Sequence, residues 1–171
     1  VSPYAIGKIA GEYMLRVYAG LYGLETVSLR YFNVYGPRQD PNSMYSGVIS
    51  KFAQAFAAGE TPTIFGDGQQ TRDFVFVGDV VQANLLAIGS PDVGRGEALN
   101  VGTGQRTSLL DLVAALGQVT GVACAPRFKP LRAGDVRDSV AAIERARQVL
   151  GYQPSHSLGD GLQTLINALR G

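Results

Sequence analysis

The chain has 171 residues, of which 46% are hydrophobic and 17% charged, with a net charge of +1. That length suffices for one domain with a sizeable core, and so small a charge excludes bulk attraction to nucleic acid or membrane, so any anion site rests on a few placed arginines. One cysteine, Cys124, and one histidine, His156, exclude an internal disulfide and a cysteine- or histidine-based zinc cluster, and fit a reducing cytoplasm.

Ser2-Pro3 is a helix start, with a hydroxyl cap and a proline at the first helical position. Ile6, Ile9, Ala10, Tyr13, Met14, Val17 and Leu21 follow helical spacing, and Gly23 can end the helix. Tyr4, Lys8 and Glu12 fall on a different stripe of the same helix. Thr26–Phe32 reads as a strand and Asn33–Tyr45 as a polar loop around Gly36-Pro37. A helix follows over Gly47–Ala58, then strands at Thr63–Phe65 and Thr71–Val77 around the turn Gly66-Asp67-Gly68. Asp79–Ile88 is a helix, and Ala98–Val101 a strand entering the tight turn Gly102-Thr103-Gly104. Ser108 with Asp111, and Ser157 with Asp160, form capping-box patterns ahead of apolar helical runs. Residues 121–140 look irregular, with short strands possible. No apolar run approaches the roughly 20 residues of a membrane span, and residues 1–20 do not resemble a signal peptide. Alternating strands and helices predict an α/β fold with a largely parallel sheet. Such a sheet wants more strands than these elements supply.

Four stretches can carry chemistry. An ammonium one helical turn from a phenol favours its ionised form and makes it usable as an acid/base, so Tyr4-x-x-x-Lys8 is a candidate pair. Alone it reads equally as a surface tyrosine beside a solvated lysine. Arg30-Tyr31-Phe32-Asn33-Val34-Tyr35-Gly36-Pro37-Arg38 runs off the carboxyl end of a strand, where open α/β sheets place ligands. Asn33 can offer its amide to a phosphate or sugar there, or the run is a strand end with a Gly-Pro turn. Period-two alternation puts Arg72, Phe74 and Phe76 on one strand face, a guanidinium at the rim of an aromatic wall suited to a nucleotide diphosphate. Pairing of Arg72 with Asp67 or Asp73 is the alternative. Arg132-Ala133-Gly134-Asp135 places a cation for phosphate beside a carboxylate for ribose hydroxyls, or a surface ion pair.

Taken together and in order, S-P-Y-A-I-G-K, R-Y-F-N-V-Y-G-P-R, F-G-D-G-Q-Q-T-R-D-F-V-F-V-G-D-V, L-N-V-G-T-G and R-A-G-D-V-R-D-S resemble the extended short-chain dehydrogenase/reductase family, and within it bacterial UDP-hexose 4-epimerases. The resemblance covers essentially all of the chain, but only the family's C-terminal half. It implies the rear part of a Rossmann-like doubly wound parallel sheet plus a small α/β substrate-binding domain. Residues 1–45 and about 79–107 would be Rossmann-side elements, and about 46–78 and 108–171 mainly substrate-binding. The Gly-rich NAD loop and the catalytic Ser/Thr would lie in an N-terminal half upstream of Val1, without which NAD is expected to bind weakly.

The resemblance also assigns roles. Tyr4 would be the acid/base, and Lys8 would bind the nicotinamide ribose. The sugar's 4-hydroxyl would give its proton to tyrosine and its hydride to NAD, and the 4-keto sugar would turn over and take the hydride back on its other face. Tyr31 and Phe32 match positions near the nicotinamide, and Asn33 a sugar-nucleotide contact. Val48, Phe65 and neighbouring backbone match the uridine pocket, Arg72 and Arg132 the diphosphate arginines, and Asp135 the ribose carboxylate. Ser139 matches a gate beside the sugar's 2-substituent, unless it merely caps a helix beginning near Ala141. A homodimer through the Tyr4–Lys8 helix and a cytoplasmic location are expected. Nucleotide-sugar 4,6-dehydratases and UDP-glucuronate decarboxylases share most of these motifs. A non-catalytic UDP-sugar-binding or dimer-forming module is a further alternative.

Overall fold

A computed structural model describes residues 3–40, 47–132 and 134–170. Ser2, residues 41–45 of the expected loop, Ser46 and Ala133 lie outside the described residues. The first helix, α1 (Pro3–Tyr22), ends at Gly23, whose φ of 67° is the left-handed turn that the missing Cβ permits. The chain returns as strand β1 (Thr26–Tyr31), which pairs in parallel with β6 (Arg95–Val101) from Val27↔Glu97 to Tyr31↔Val101. The helix α1 lies on this pair, and Gly96 makes the approach possible: a Cβ there would stand 2.5 Å from the Arg16 Cα. Helices α3 (Val77–Gly89) and α5 (Glu144–Leu150) also pack on β1 and β6 respectively. Among the described residues, β6 is the only strand paired with β1.

The remaining strands form three further pairs. Strand β2 (Asn33–Tyr35) runs parallel to β5 (Phe74–Phe76), and β3 (Thr63–Phe65) runs parallel to β8 (Arg127–Lys129). Strand β4 (Thr71–Arg72) is antiparallel to β7 (Thr107–Ser108). Helices α2 (Val48–Ala57), α4 (Leu109–Thr120) and α6 (Leu158–Arg170) pack on one another. They bury Ile49, Phe52, Phe56, Leu112, Leu116, Leu162 and Ile166 with Tyr35, Ile64 and Phe76 in one cluster. A second cluster joins Val80, Ala83 and Ala87 of α3 to Leu99, Val101, Leu150 and Tyr152. Both predicted capping devices are present: Ser108 and Asp111 form a complete box, and Asp160 N–H donates to Ser157 Oγ.

Two expectations are corrected. The strand predicted over Thr71–Val77 is two strands that diverge at Asp73, with Val77 opening α3. Arg72, Phe74 and Phe76 therefore share no single strand, and both phenylalanines are buried. The expected polar loop after Phe32 starts as strand β2. The apolar stripe of α1, for which the sequence showed only helical spacing, is uncovered among the described residues: no residue of α1 is buried, and Ile6, Met14 and Leu21 are 58%, 63% and 72% exposed.

Candidate active site

Two cavities meet at Asn33, just past the carboxyl end of β1 and at the start of β2. The larger, about 760 Å³, lies between α1 and β1 and is lined by Tyr4, Lys8, Glu12, Arg30, Tyr31 and Phe32 among others. The four-residue spacing of Tyr4 and Lys8 brings them together as expected, with Lys8 Nζ 5.3 Å from the Tyr4 ring centroid. One turn further, Glu12 is gripped at both oxygens by Arg30 of β1, Nε to Oε1 at 2.7 Å and Nη2 to Oε2 at 2.6 Å. Hydrogen bonding from Arg30, opposed by burial and helped by the charges of Arg30 and Arg16, holds the Glu12 carboxyl below the usual range. Tyr31 also lines a cavity on the α3 side, and its hydroxyl donates to Asn84 Oδ1 at 2.9 Å.

The second cavity, about 400 Å³, is lined by Phe65, Arg72, Arg132 and Asp135, with Lys51, Gln70 and Thr63. The β3–β8 ladder runs through Pro62 and Gly66, since Arg127 N–H donates to Pro62 O and Gly66 N–H to Lys129 O. Parallel pairing then turns the backbone polar groups of Thr63 and Phe65 away from β8. Gln70 Nε2 takes up the Phe65 carbonyl at 2.6 Å. The Arg132 guanidinium carbon stands 3.7 Å from the Phe65 ring centroid, a stacked cation–π contact. Neither sequence alternative for Arg72 holds: Asp67 pairs with Arg137 at 3.0 Å, and Asp73 binds backbone. Arg72 Nη1 donates to Thr71 O at 2.8 Å and Arg137 O at 3.3 Å.

Asn33 and Val48 line both cavities and so join the Tyr4–Lys8 cleft to the arginine pocket. Asn33 is pinned by Nδ2 donating to Asp73 O at 3.1 Å, which commits one of its amide protons. Ser139 lines neither cavity; its N–H donates to Thr71 O at 3.2 Å in an extended strap beside β4. It caps no helix, because α5 begins at Glu144 with Ile143 as its cap. Glu12, Lys51 and Gln70 were missed as site residues. Glu12 had a signal, its place on the Tyr4–Lys8 stripe; Lys51 and Gln70 had none beyond being polar. Among the described residues no cluster of three or more metal-ligating side chains exists, and no helix is long and apolar enough to cross a membrane.

Residues 1–102 match the NAD dependent epimerase/dehydratase family, and the chain belongs to it. It is 47% identical over 169 residues to UDP-glucose 4-epimerase of Mycolicibacterium smegmatis, covering 99% of this chain and 53% of that one. The chain thus spans about half the length of the curated relatives it matches. The crystal structure of Thermotoga maritima UDP-glucose 4-epimerase with UDP-glucose superposes with a TM-score of 0.93 at 44% identity, over 99% of this chain and 54% of that one. UDP-N-acetylglucosamine 4-epimerase of Methanobrevibacter ruminantium, in complex with UDP-N-acetylmuramic acid, gives 0.92 at 35% identity, over 98% and 53%. The fold is therefore the Rossmann-type α/β arrangement of these enzymes. The larger cleft fits the nicotinamide-ribose end of NAD, offering a phenol and an ammonium side by side and a buried Ser28 hydroxyl without a partner.

Proposed function

We propose that the whole protein is a cytoplasmic, NAD-dependent UDP-hexose 4-epimerase, and that this chain supplies its acid/base pair and its UDP-sugar site. The observation that carries this reading is the shared wall of Asn33 and Val48, which sets a nucleotide-sized pocket next to the Tyr4–Lys8 cleft. A UDP-sugar with its nucleotide in the pocket would extend its hexose toward Tyr4. Residues 1–45 and about 79–107 would form the Rossmann side, and about 46–78 and 108–171 the substrate side. The remaining half of the NAD site would come from an N-terminal portion.

Arg72 and Arg132 would hold the diphosphate, with Asp135 accepting from ribose hydroxyls. Phe65, Val48 and the backbone around Thr63 would receive the uracil, and Asn33 would steer the sugar. Tyr4 takes the proton of the 4-hydroxyl and later returns one to the 4-keto oxygen, while Lys8 steadies the negative charge and holds the nicotinamide ribose. Tyr31 and Phe32 would flank the nicotinamide. Bound NAD supplies the acceptor and donor for the hydrogen at C4. The uncovered apolar stripe of α1, with Ile6, Met14 and Leu21 more than half exposed, supports a homodimer through this helix.

The test is Tyr4→Phe in the whole protein, assayed for interconversion of UDP-glucose and UDP-galactose. Turnover is expected to drop about 10²–10⁴-fold with UDP affinity unchanged, the usual loss when a general acid–base group is removed. Near-full turnover would overturn the reading.

A further inference from the structure

The stripe of α1 that carries Tyr4 and Lys8 continues to Glu12, and all three side chains line the same cleft. A carboxylate four residues after a lysine is a helix-surface partner for its ammonium. Here that pairing is pre-empted. Arg30, from the neighbouring strand, takes both Glu12 oxygens at 2.7 and 2.6 Å, in the fork geometry that a guanidinium satisfies and an ammonium cannot. Lys8 instead stands over the Tyr4 ring.

We propose that Arg30 is a positioning residue: by occupying Glu12 it keeps the Lys8 ammonium available to Tyr4. The inference rests on the acid/base reading of Tyr4 above. The pair is internally neutral, so Lys8 is the uncompensated charge of this stripe next to the phenol. Other charged or titratable groups on the packed elements are already placed. Arg16 and Tyr13 on α1 line a small cavity with Glu12 on the side away from Tyr4. On β1 the Tyr31 hydroxyl is engaged with Asn84. On β6 the Glu97 carboxylate is bound by the N–H groups of Gly94 and Arg95, beside the Arg95 side chain. Arg38 and Asp40 follow β2 outside the cleft lining.

If Arg30 is lost, Glu12 becomes an unpaired carboxylate one turn from Lys8. It draws the ammonium away and adds negative charge, and both effects oppose the Tyr4 phenolate. If both partners are lost, the stripe has the same net charge as before, and Lys8 faces Tyr4 again. A brace between α1 and β1 would behave differently, because the double loss would leave the brace broken.

The experiment follows phenol ionisation by near-ultraviolet absorbance in the whole protein without sugar, with Tyr4→Phe subtracted to isolate Tyr4. Arg30→Gln is expected to raise the Tyr4 midpoint by about half a pH unit or more, and to move the acid limb of the kcat profile the same way. Glu12→Gln/Arg30→Gln should return both to the parent position. Arg30→Lys, which keeps the charge but not the fork, should give a smaller rise and serves if Arg30→Gln fails to fold. An unmoved midpoint in the single variants, or a shift that persists in the double variant, overturns the proposal. Undiminished turnover of Tyr4→Phe would overturn the acid/base reading instead, whatever the titrations show.

Discussion

The buried carboxylate of Asp73 accepts both the backbone N–H and the hydroxyl of Thr103, at 2.8 and 2.7 Å on the same oxygen. Its other oxygen accepts the N–H groups of Gly104 at 2.9 Å and Ala141 at 3.1 Å. One side chain therefore ties the end of β6 and the strap before α5 to the point where β4 and β5 diverge. Asp73→Asn would turn an NH2 toward N–H donors. We expect a loss on the order of 3 kcal/mol, read as a lower denaturant midpoint, with an unchanged midpoint counting against this role.

Two buried tyrosines predict an alkaline limit to stability. Burial, aided by the Asp79 and Asp160 carboxylates, pushes the Tyr35 phenol above its ordinary value. Burial, with Asp79 and Asp73 and against Arg147, does the same to Tyr152. Unfolded phenols ionise from about pH 10, whereas the folded chain keeps these two neutral. Stability is thus intact below that pH and falls above it, by up to about 1.4 kcal/mol per pH unit for each phenol. Denaturant titrations between pH 9 and 12 on the parent and on Tyr152→Phe check this, and the variant should lose stability less steeply.

The arginine pocket predicts a contrast between ligands. Arg72→Ala and Arg132→Ala should each weaken UDP binding by about 1.5–3 kcal/mol, the scale of hydrogen bonds to charged groups. Uridine, without phosphate, should respond little to Arg72→Ala. Calorimetry with both ligands decides it, and equal losses would mean that Arg72 acts on structure rather than on the anion.

Ser139 lines neither cavity, but its N–H and Arg72 Nη1 donate to the same Thr71 carbonyl, so it sits behind the Arg72 wall of the pocket. The family resemblance makes this position the gate beside the sugar's 2-substituent, and on that reading a small residue admits an N-acetylated hexose, so the whole protein is expected to turn over UDP-glucose and UDP-N-acetylglucosamine alike. Ser139→Tyr should abolish the N-acetyl activity and spare the smaller sugar. Parent-rate turnover of UDP-N-acetylglucosamine by the variant would remove Ser139 as the gate.

What the sequence revealed was mostly local. The Ser108–Asp111 box, the Gly23 stop and the Tyr4–Lys8 face depend on residues within one or two turns, and all are present. The strand break at Asp73 was hidden because its carboxylate binds groups 30 and 68 residues away. Stacking of Arg132 on Phe65 is equally non-local: the pocket's motifs were legible, but not the partner of each cation. The periodicity of α1 was legible as an apolar stripe, but not whether anything covers it, because period reports which residues align and not what packs on them.

A wall common to two cavities also has a thermodynamic meaning. Asn33 is fastened to the Asp73 carbonyl, and Val48 is the first residue of α2. A ligand that shifted either residue would change the shape of the neighbouring cavity, and occupancy of one would then be linked to occupancy of the other. Linkage is reciprocal: whatever factor a filled cleft applies to nucleotide affinity, the nucleotide applies to affinity in the cleft.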